Sequence, residues 1–454
     1  MTARRLLAFV PILLWLSPAH AIDLVSSWQA ARAYDPGFFA ARNALTAGQE
    51  YSNQGDAAML PQVSMSGYVD RTRTDYRPGP SDTPAKLSQG QQYGVNVSLA
   101  QPIYDAGARA KRDEFKQLSL QAEVHYRIAE QDLVLRVAKA YFELLLAREN
   151  VKLVAAQKGA IALQLAIAKK QFRLGAATVT DTNDAQARYD AVLAGEIAVT
   201  NDLEVKSSSY RRLTSLDPVL LVPISEPFLA PDPQPELMAS WLSQAAESNL
   251  AVKAQQLGLD LAAATIGRYR LESAPTLSLV AAYGSQVESR GISSSGGRDQ
   301  TLSGSIGVQL SIPLYSGGSR SSLLRQAVAL RDQQRDVLEA VRLDAQETTR
   351  QAFLGVKGGA AQIRALEQAR ISSASSLASS KRGREVGVRT TLDVLNAEQN
   401  YYQTLYSLVA ARYQYLISRL QLVASVGQLN EQELVKVNAD MLGRERFGGH
   451  ATRD

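Results

Sequence analysis

The stretch EVGVRTTLDVLNAEQN, residues 385–400, repeats the skeleton of RLGAATVTDTNDAQAR, residues 173–188, which lies 212 positions earlier. Gly175 answers to Gly387, Asp181 to Asp393 and Ala185 to Ala397, with acidic or amide residues near each Asp and alanine-rich helical sequence beyond. The match extends outward over nearly the whole chain. QPIYDAGAR from Gln101 aligns with IPLYSGGSR at an offset of 211, pairing Pro102 with Pro313, Tyr104 with Tyr315 and Gly107 with Gly318. The spacing from Asp35 to Pro61 and from Asn249 to Pro275 is 26 in both. The chain therefore contains two copies of one unit of about 200 residues, too long for a solenoid repeat and indicative of an internal duplication.

The ends and the composition bound the function. Residues 1–21, MTARRLLAFVPILLWLSPAHA, join Arg4 and Arg5 to an apolar core and an A-H-A ending, the layout of a cleavable secretory signal, so the mature chain is expected to start near Ile22. No later stretch is expected to reach the roughly 18 apolar residues of a membrane helix, so any membrane segment should be β-strand. Without the leader, 47 basic residues face 44 acidic ones, which is no nucleic-acid footprint. Zero cysteines exclude disulfides, thiolate metal sites, catalytic thiols and an acylated N-terminal cysteine. The only histidines are His20, His125 and His450, too few for a histidine-rich metal centre, and a catalytic triad has almost nothing to draw on. No cofactor, metal or catalytic residue is expected.

Proline placement divides the rest. Pro218, Pro223, Pro227, Pro231, Pro233 and Pro235 form one cluster, read as a linker over 218–235 between a first repeat at 22–217 and a second at 236–430, with a C-terminal segment at 431–454. Residues 103–217 and 314–454 contain no proline and are rich in Ala, Leu, Gln, Glu, Lys and Arg, which reads as helix. A helix from about Ala108 to Phe172 would run roughly 100 Å, longer than a globular domain of this size can bury. Val134, Val137, Tyr141 and Leu144 recur at spacings of three and four and form a coiled-coil-like seam, with Arg136, Lys139 and Glu143 off it. A self-contained helical hairpin is the alternative. SSASSLASSK at 372–381 and similar small-residue runs suit close helix packing with a second face left wet.

Strands interrupt the helices at about 62–74 and 91–103, and again at about 275–288 and 302–314. Val63, Met65 and Val69 alternate with Ser64, Ser66 and Asp70; Tyr93, Val95, Val97 and Leu99 alternate with Gly94, Asn96 and Ser98; Ile306, Val308, Leu310 and Ile312 alternate with Gly307, Gln309 and Ser311. The intervening stretches 76–91 and 289–300 are polar, turn-rich and long, like the outer loops of membrane barrels. A small sheet packed on the helices is the other reading. Four strands cannot close a membrane barrel, whose smallest single-chain form has about eight, so closure in lipid requires several chains.

On these features the chain resembles the TolC-like outer-membrane efflux proteins. The resemblance covers residues 22 to about 440 and rests on the duplicated layout, on QPIYDAG and IPLYSGG, on the run VGVRTTLDVLNAEQNYYQTLYSLVAARYQYL and on LNEQEL at 429–434. It implies a mainly α fold with a β-barrel part: a homotrimer whose strands form one 12-stranded outer-membrane barrel, joined to a long periplasmic α-helical barrel. It also implies that RLGAAT and EVGVRT are helix-turn-helix tips. They would close the periplasmic entrance and dock an adaptor protein through Leu174, Gly175, Val386 and Gly387. The family's gate maps onto Thr180 and Asp181 of the first tip and Arg389 of the second. Its tyrosine falls on Arg384, so an ion pair from Arg384 to Asp181 replaces a tyrosine contact in this expectation. The family's paired constriction aspartates fall on Asp393 and Asn396, which implies a ring of three carboxylates, not six. A helix-start role for both acids competes with these.

The expected function is the outer-membrane exit duct of a tripartite export machine, passive and without catalysis, working with a periplasmic adaptor and an inner-membrane transporter. The missing lipid-anchor cysteine favours type I secretion, with an ABC-type transporter, over a drug-efflux duct for a proton-driven pump. A periplasmic coiled-coil scaffold is the alternative of another class. Outer-membrane lipid is an expected partner and nucleic acid is not.

Overall fold

The computed structural model describes residues 22–77, 79, 86–293 and 295–442. The leader expected at 1–21 and the end of the C-terminal segment lie outside the described residues. The elements follow one another as α1 (Leu24–Tyr34), α2 (Pro36–Ala57), β1 (Gln62–Tyr76), β2 (Lys86–Tyr104), α3 (Ala106–Arg173) and α4 (Val179–Thr214). A 3-10 turn at Pro218–Leu220 follows, and then the same series recurs: α5 (Met238–Ser248), α6 (Leu250–Leu271), β3 (Thr276–Glu288), β4 (Asp299–Ser311), α7 (Ser319–Glu385) and α8 (Thr391–Ser425), with α9 (Glu431–Leu442) added at the end. The duplication seen in the residues is thus a duplication of elements.

By compactness the chain divides across the repeats. One unit takes residues up to Phe39, 130–245 and those from Glu347 onward; the other takes 40–129 and 246–346. The proline-free runs explain the division, because α3 and α7 are single uninterrupted helices of 68 and 67 residues that each contribute to both units. One 18-residue window of α3 is apolar enough by length and composition for a membrane helix, contrary to the expectation that none would be. Alanine, leucine and isoleucine raise its average without forming an unbroken apolar run.

The unit holding the strands carries one antiparallel sheet in the order β1-β2-β3-β4, so β2 and β3 join the two repeats. Its register puts Val63 opposite Leu99 and Met65 opposite Val97, and Val97 opposite Tyr283 of the second repeat. Ala281 in turn faces Ile306, and Leu279 faces Val308. One face of the sheet is therefore apolar across all four strands. The other carries the Ser64–Ser98 hydroxyl pair at 2.8 Å and Tyr68, which donates to Gln286 at 3.0 Å and accepts from Gln92 at 3.2 Å. Val63, Met65, Val69, Ile306, Val308 and Leu310 are all exposed in the single chain. The outer edges of β1 and β4 have no strand beside them among the described residues.

β2 begins at Lys86, five residues before the expected start, because Tyr76 to Arg71 of β1 continue the ladder against Lys86 to Gln91. LSQGQQ lacks the apolar alternation that reveals a strand, and the ladder with β1 extends it regardless. In the same unit Val252, Leu338 and Ala345 form a buried cluster among α6 and α7. Gly48 allows α2 to approach α3, since a Cβ there would lie 2.2 Å from that of Ala122.

In the other unit the expected seam is the core: Val134, Val137, Tyr141 and Leu144 are all buried. The rings of Phe142 and Tyr413 lie 5.9 Å apart, and the Tyr141 hydroxyl donates to the Val222 carbonyl at 2.8 Å. Off the seam, Arg136 bridges Asp35 at 2.9 Å and Asp132 at 2.7 Å. The proline cluster is strapped to this core. Tyr415 donates to the Pro231 carbonyl at 2.6 Å, Trp241 donates to the Pro235 carbonyl at 2.8 Å, and Arg412 pairs with Glu226 at 2.8 Å and Glu367 at 2.5 Å. Small residues bring α7 and α8 together, with Gly355 against Ser418 and Gly359 against Tyr415.

Candidate functional site: the paired helix-turn-helix tips

Each tip is a helix stop followed at once by a helix start. At the first, the Ala176 amide donates to the Gln171 carbonyl at 2.8 Å and the Gly175 amide to Phe172 at 3.0 Å. At the second, Val388 donates to Gly383 at 2.9 Å and Gly387 to Arg384 at 3.1 Å. These are the paired bonds of a Schellman motif, which needs a left-handed residue after the helix. Gly175 at φ 76° and Gly387 at φ 80° supply it.

The next helix starts identically in both. Thr178 accepts from the Asp181 amide at 3.1 Å, and Asp181 accepts from the Thr178 amide at 3.0 Å; Thr390 and Asp393 repeat this at 3.1 and 2.9 Å. This is a capping box with Asp in the third position. Hydrogen bonds to the ionised form favour it, so both carboxyls are held below their ordinary acid range. For Asp181 the Thr178 hydroxyl is the largest cause, followed by the Thr178 amide, with a smaller contribution from Thr391. For Asp393 the Thr390 amide leads, then its hydroxyl, with Arg389 adding less.

Leu174 and Val386, the expected docking residues, are each 73% exposed at the turns. Thr180 is exposed on the first turn of α4, and the expected bond from Arg389 to it does not form among the described residues. Arg389 instead lies 3.9 Å from Asp393, and its stem folds over Gly383, where a Cβ would stand 2.7 Å from its Cγ. Arg384 does not take the expected partner. Its guanidinium donates to Gln164 of α3, while Asp181 Oδ2 accepts from the amide and hydroxyl of its own cap residue, Thr178.

Asn396, the second expected constriction position, accepts from Arg188 Nη2 at 2.9 Å, and Arg188 Nη1 donates to Gln399 at 2.5 Å, so α4 clamps α8 at Asn396 and the residue one turn beyond it. Below the tips Ile161, Leu165 and Ala168 of α3, Ala185 of α4 and Leu395 of α8 make a small buried cluster. Sequence reasoning missed Arg188, Gln164, Thr178 and Thr390. The two threonines had a signal in the repeated T-x-x-D pattern; Arg188 and Gln164 had none, because their partners lie on distant helices. Among the described residues no group of three or more His, Asp or Glu could hold a metal ion.

A duplicated series of helices and strands with identically built tips defines a repeat-built protein of long helices and one sheet, and comparison with known proteins identifies its family. The chain belongs to the outer membrane efflux protein family, matching it at residues 28–215 and again at 241–428. It is 31% identical to the outer membrane protein TolC of Vibrio cholerae over 94% of this chain and 95% of that one. It is 29% identical to the alkaline protease secretion protein AprF of Pseudomonas aeruginosa, over 98% and 93%. Among solved structures the CmeC outer membrane channel of Campylobacter jejuni superposes with a TM-score of 0.75 at 18% identity, covering 92% of this chain and 90% of that one.

Proposed function

We propose that this protein is the outer-membrane exit duct of a tripartite export system, a homotrimer that passively conducts cargo handed over by a periplasmic adaptor and an inner-membrane transporter. The observation that carries the reading is a four-stranded sheet with one apolar face and two unpaired edges, borne on the same chain as two exposed helix-turn-helix tips. Lipid offers nothing to an unpaired strand edge, so strands of neighbouring copies complete the barrel. The repeats at 22–217 and 236–430 form its two halves, and 218–235 links them.

Type I secretion, with an ABC-type transporter, is the favoured branch, supported by the similarity to a protein named for protease secretion. The entrance is closed by the tips, with Thr180, Asp181, Arg384 and Arg389 in the gate and three copies of Asp393 around the lumen beside Asn396. Carboxylates converging on a narrow passage attract cations. The protein performs no catalysis of its own. Planar-bilayer recording tests the reading: the wild type should conduct in small cation-selective steps, and Arg384→Ala with Arg389→Ser should enlarge them. A purified protein that forms no channels, or that is released with the soluble periplasm, would contradict it.

A further inference from the structure

Glu398 lies one turn beyond Leu395 on α8, and its side chain is completely buried. Lys381 of α7 reaches its Oε1 at 2.9 Å, and the Gln164 amide of α3 lies 3.4 Å from the same oxygen. Gln164 is itself buried and also receives Arg384, so three helices meet on two polar side chains. The second carboxylate oxygen, Oε2, is buried with no hydrogen-bond partner. A carboxylate in this setting is stable only while its partners stay in place, because a buried charge stripped of its partner bears its full desolvation cost.

We infer that Glu398 is a positioning residue for the entrance, a buried anchor that holds α7 and α3 to the start of α8 and so keeps the tips together. The inference rests on the gate reading above. Opening that draws α8 from α3 removes the Gln164 amide, and opening that draws it from α7 removes the Lys381 ammonium. Either movement leaves the carboxylate less satisfied than before. A contact of this kind is either made or lost, which suits a gate better than a contact that yields gradually. Neighbouring Tyr402 senses the same charge: burial first, and Glu398 second, raise its hydroxyl above the ordinary phenol range.

Charge exchange tests this in planar bilayers. Glu398→Lys sets an ammonium against Lys381, and Lys381→Glu sets two carboxylates together; each should raise the open fraction about tenfold. The double variant Lys381→Glu with Glu398→Lys should restore closure. Assembly and thermal midpoint of each variant are measured alongside, so a failure to fold is recognised, and Glu398→Gln, of nearly the same shape, then serves as the milder probe with an intermediate rise. If Arg384→Ala with Arg389→Ser opens the channel while every Glu398 and Lys381 variant conducts like the wild type, the anchor is wrong and the gate reading stands. If the arginine variant conducts like the wild type too, the gate reading itself fails. Singles that open the channel while the exchange does not restore it would overturn the pairing and leave Glu398 a packing residue only.

Discussion

Asp181 and Asp393 each satisfy the amide and hydroxyl of the threonine that begins their helix, so their first task is local. The sign of the pH effect follows from the direction of their shifts. A carboxyl held below its ordinary value of 3.8 contributes stability that is fully present above that pH and is lost as the pH falls through the lowered folded value. Asp393→Asn should therefore speed amide exchange over the first turn of α8 at neutral pH, and the difference from wild type should shrink as the pH falls below 3.8 and vanish once it has passed the lowered folded value. Equal exchange at neutral pH would show that the cap contributes nothing. The pore role is separable, since it predicts a loss of cation preference in the same variant. At the cluster beneath, Leu395→Ala removes a buried side chain shared by three helices and should destabilise the tip region by about 2–5 kcal/mol, read by chemical denaturation.

At the scale of elements, the tips stand on two glycines whose positive φ a β-branched residue tolerates poorly. Gly175→Val with Gly387→Val should disrupt both turns and abolish export while leaving the sheet assembled, checked by secretion assay and by strand content in outer-membrane extracts. Normal export by that variant would remove the tips from adaptor docking. The absence of cysteine makes a cleaner probe available: Leu174→Cys or Val386→Cys should crosslink to an adaptor at the tips alone. These turns were legible because glycine, threonine and aspartate recur in both copies at fixed spacing, as were β1 and β4, where apolar and small residues alternate. The first residues of β2 were not, because LSQGQQ is paired by its neighbour and carries no pattern of its own. Glu398 was equally opaque, since a buried glutamate and a solvated one look alike in a helical sequence, and its partners Lys381 and Gln164 are 17 and 234 positions away. Arg384 bonding Gln164 was opaque for the same reason, since the two lie 220 positions apart, while Asp181 turns Oδ2 to its own cap.

For the whole molecule the decisive feature is the sheet, apolar on one face across four strands and, among the described residues, open at both edges. Ile306 lies on the apolar face and Ser305, its neighbour, on the other. Ile306→Lys should cost about 2–4 kcal/mol in the membrane and lower the yield of assembled protein, whereas Ser305→Lys should be tolerated. Equal tolerance of the two would mean that the apolar face does not meet lipid. The edges lead to the oligomer, because four strands are too few to close a barrel and one chain cannot satisfy its own outer strands. The measurement that tests this most directly is the native mass of the protein extracted from outer membranes in mild detergent. A single species of three chains is the predicted result; a monodisperse monomer that retains its strand content would contradict it.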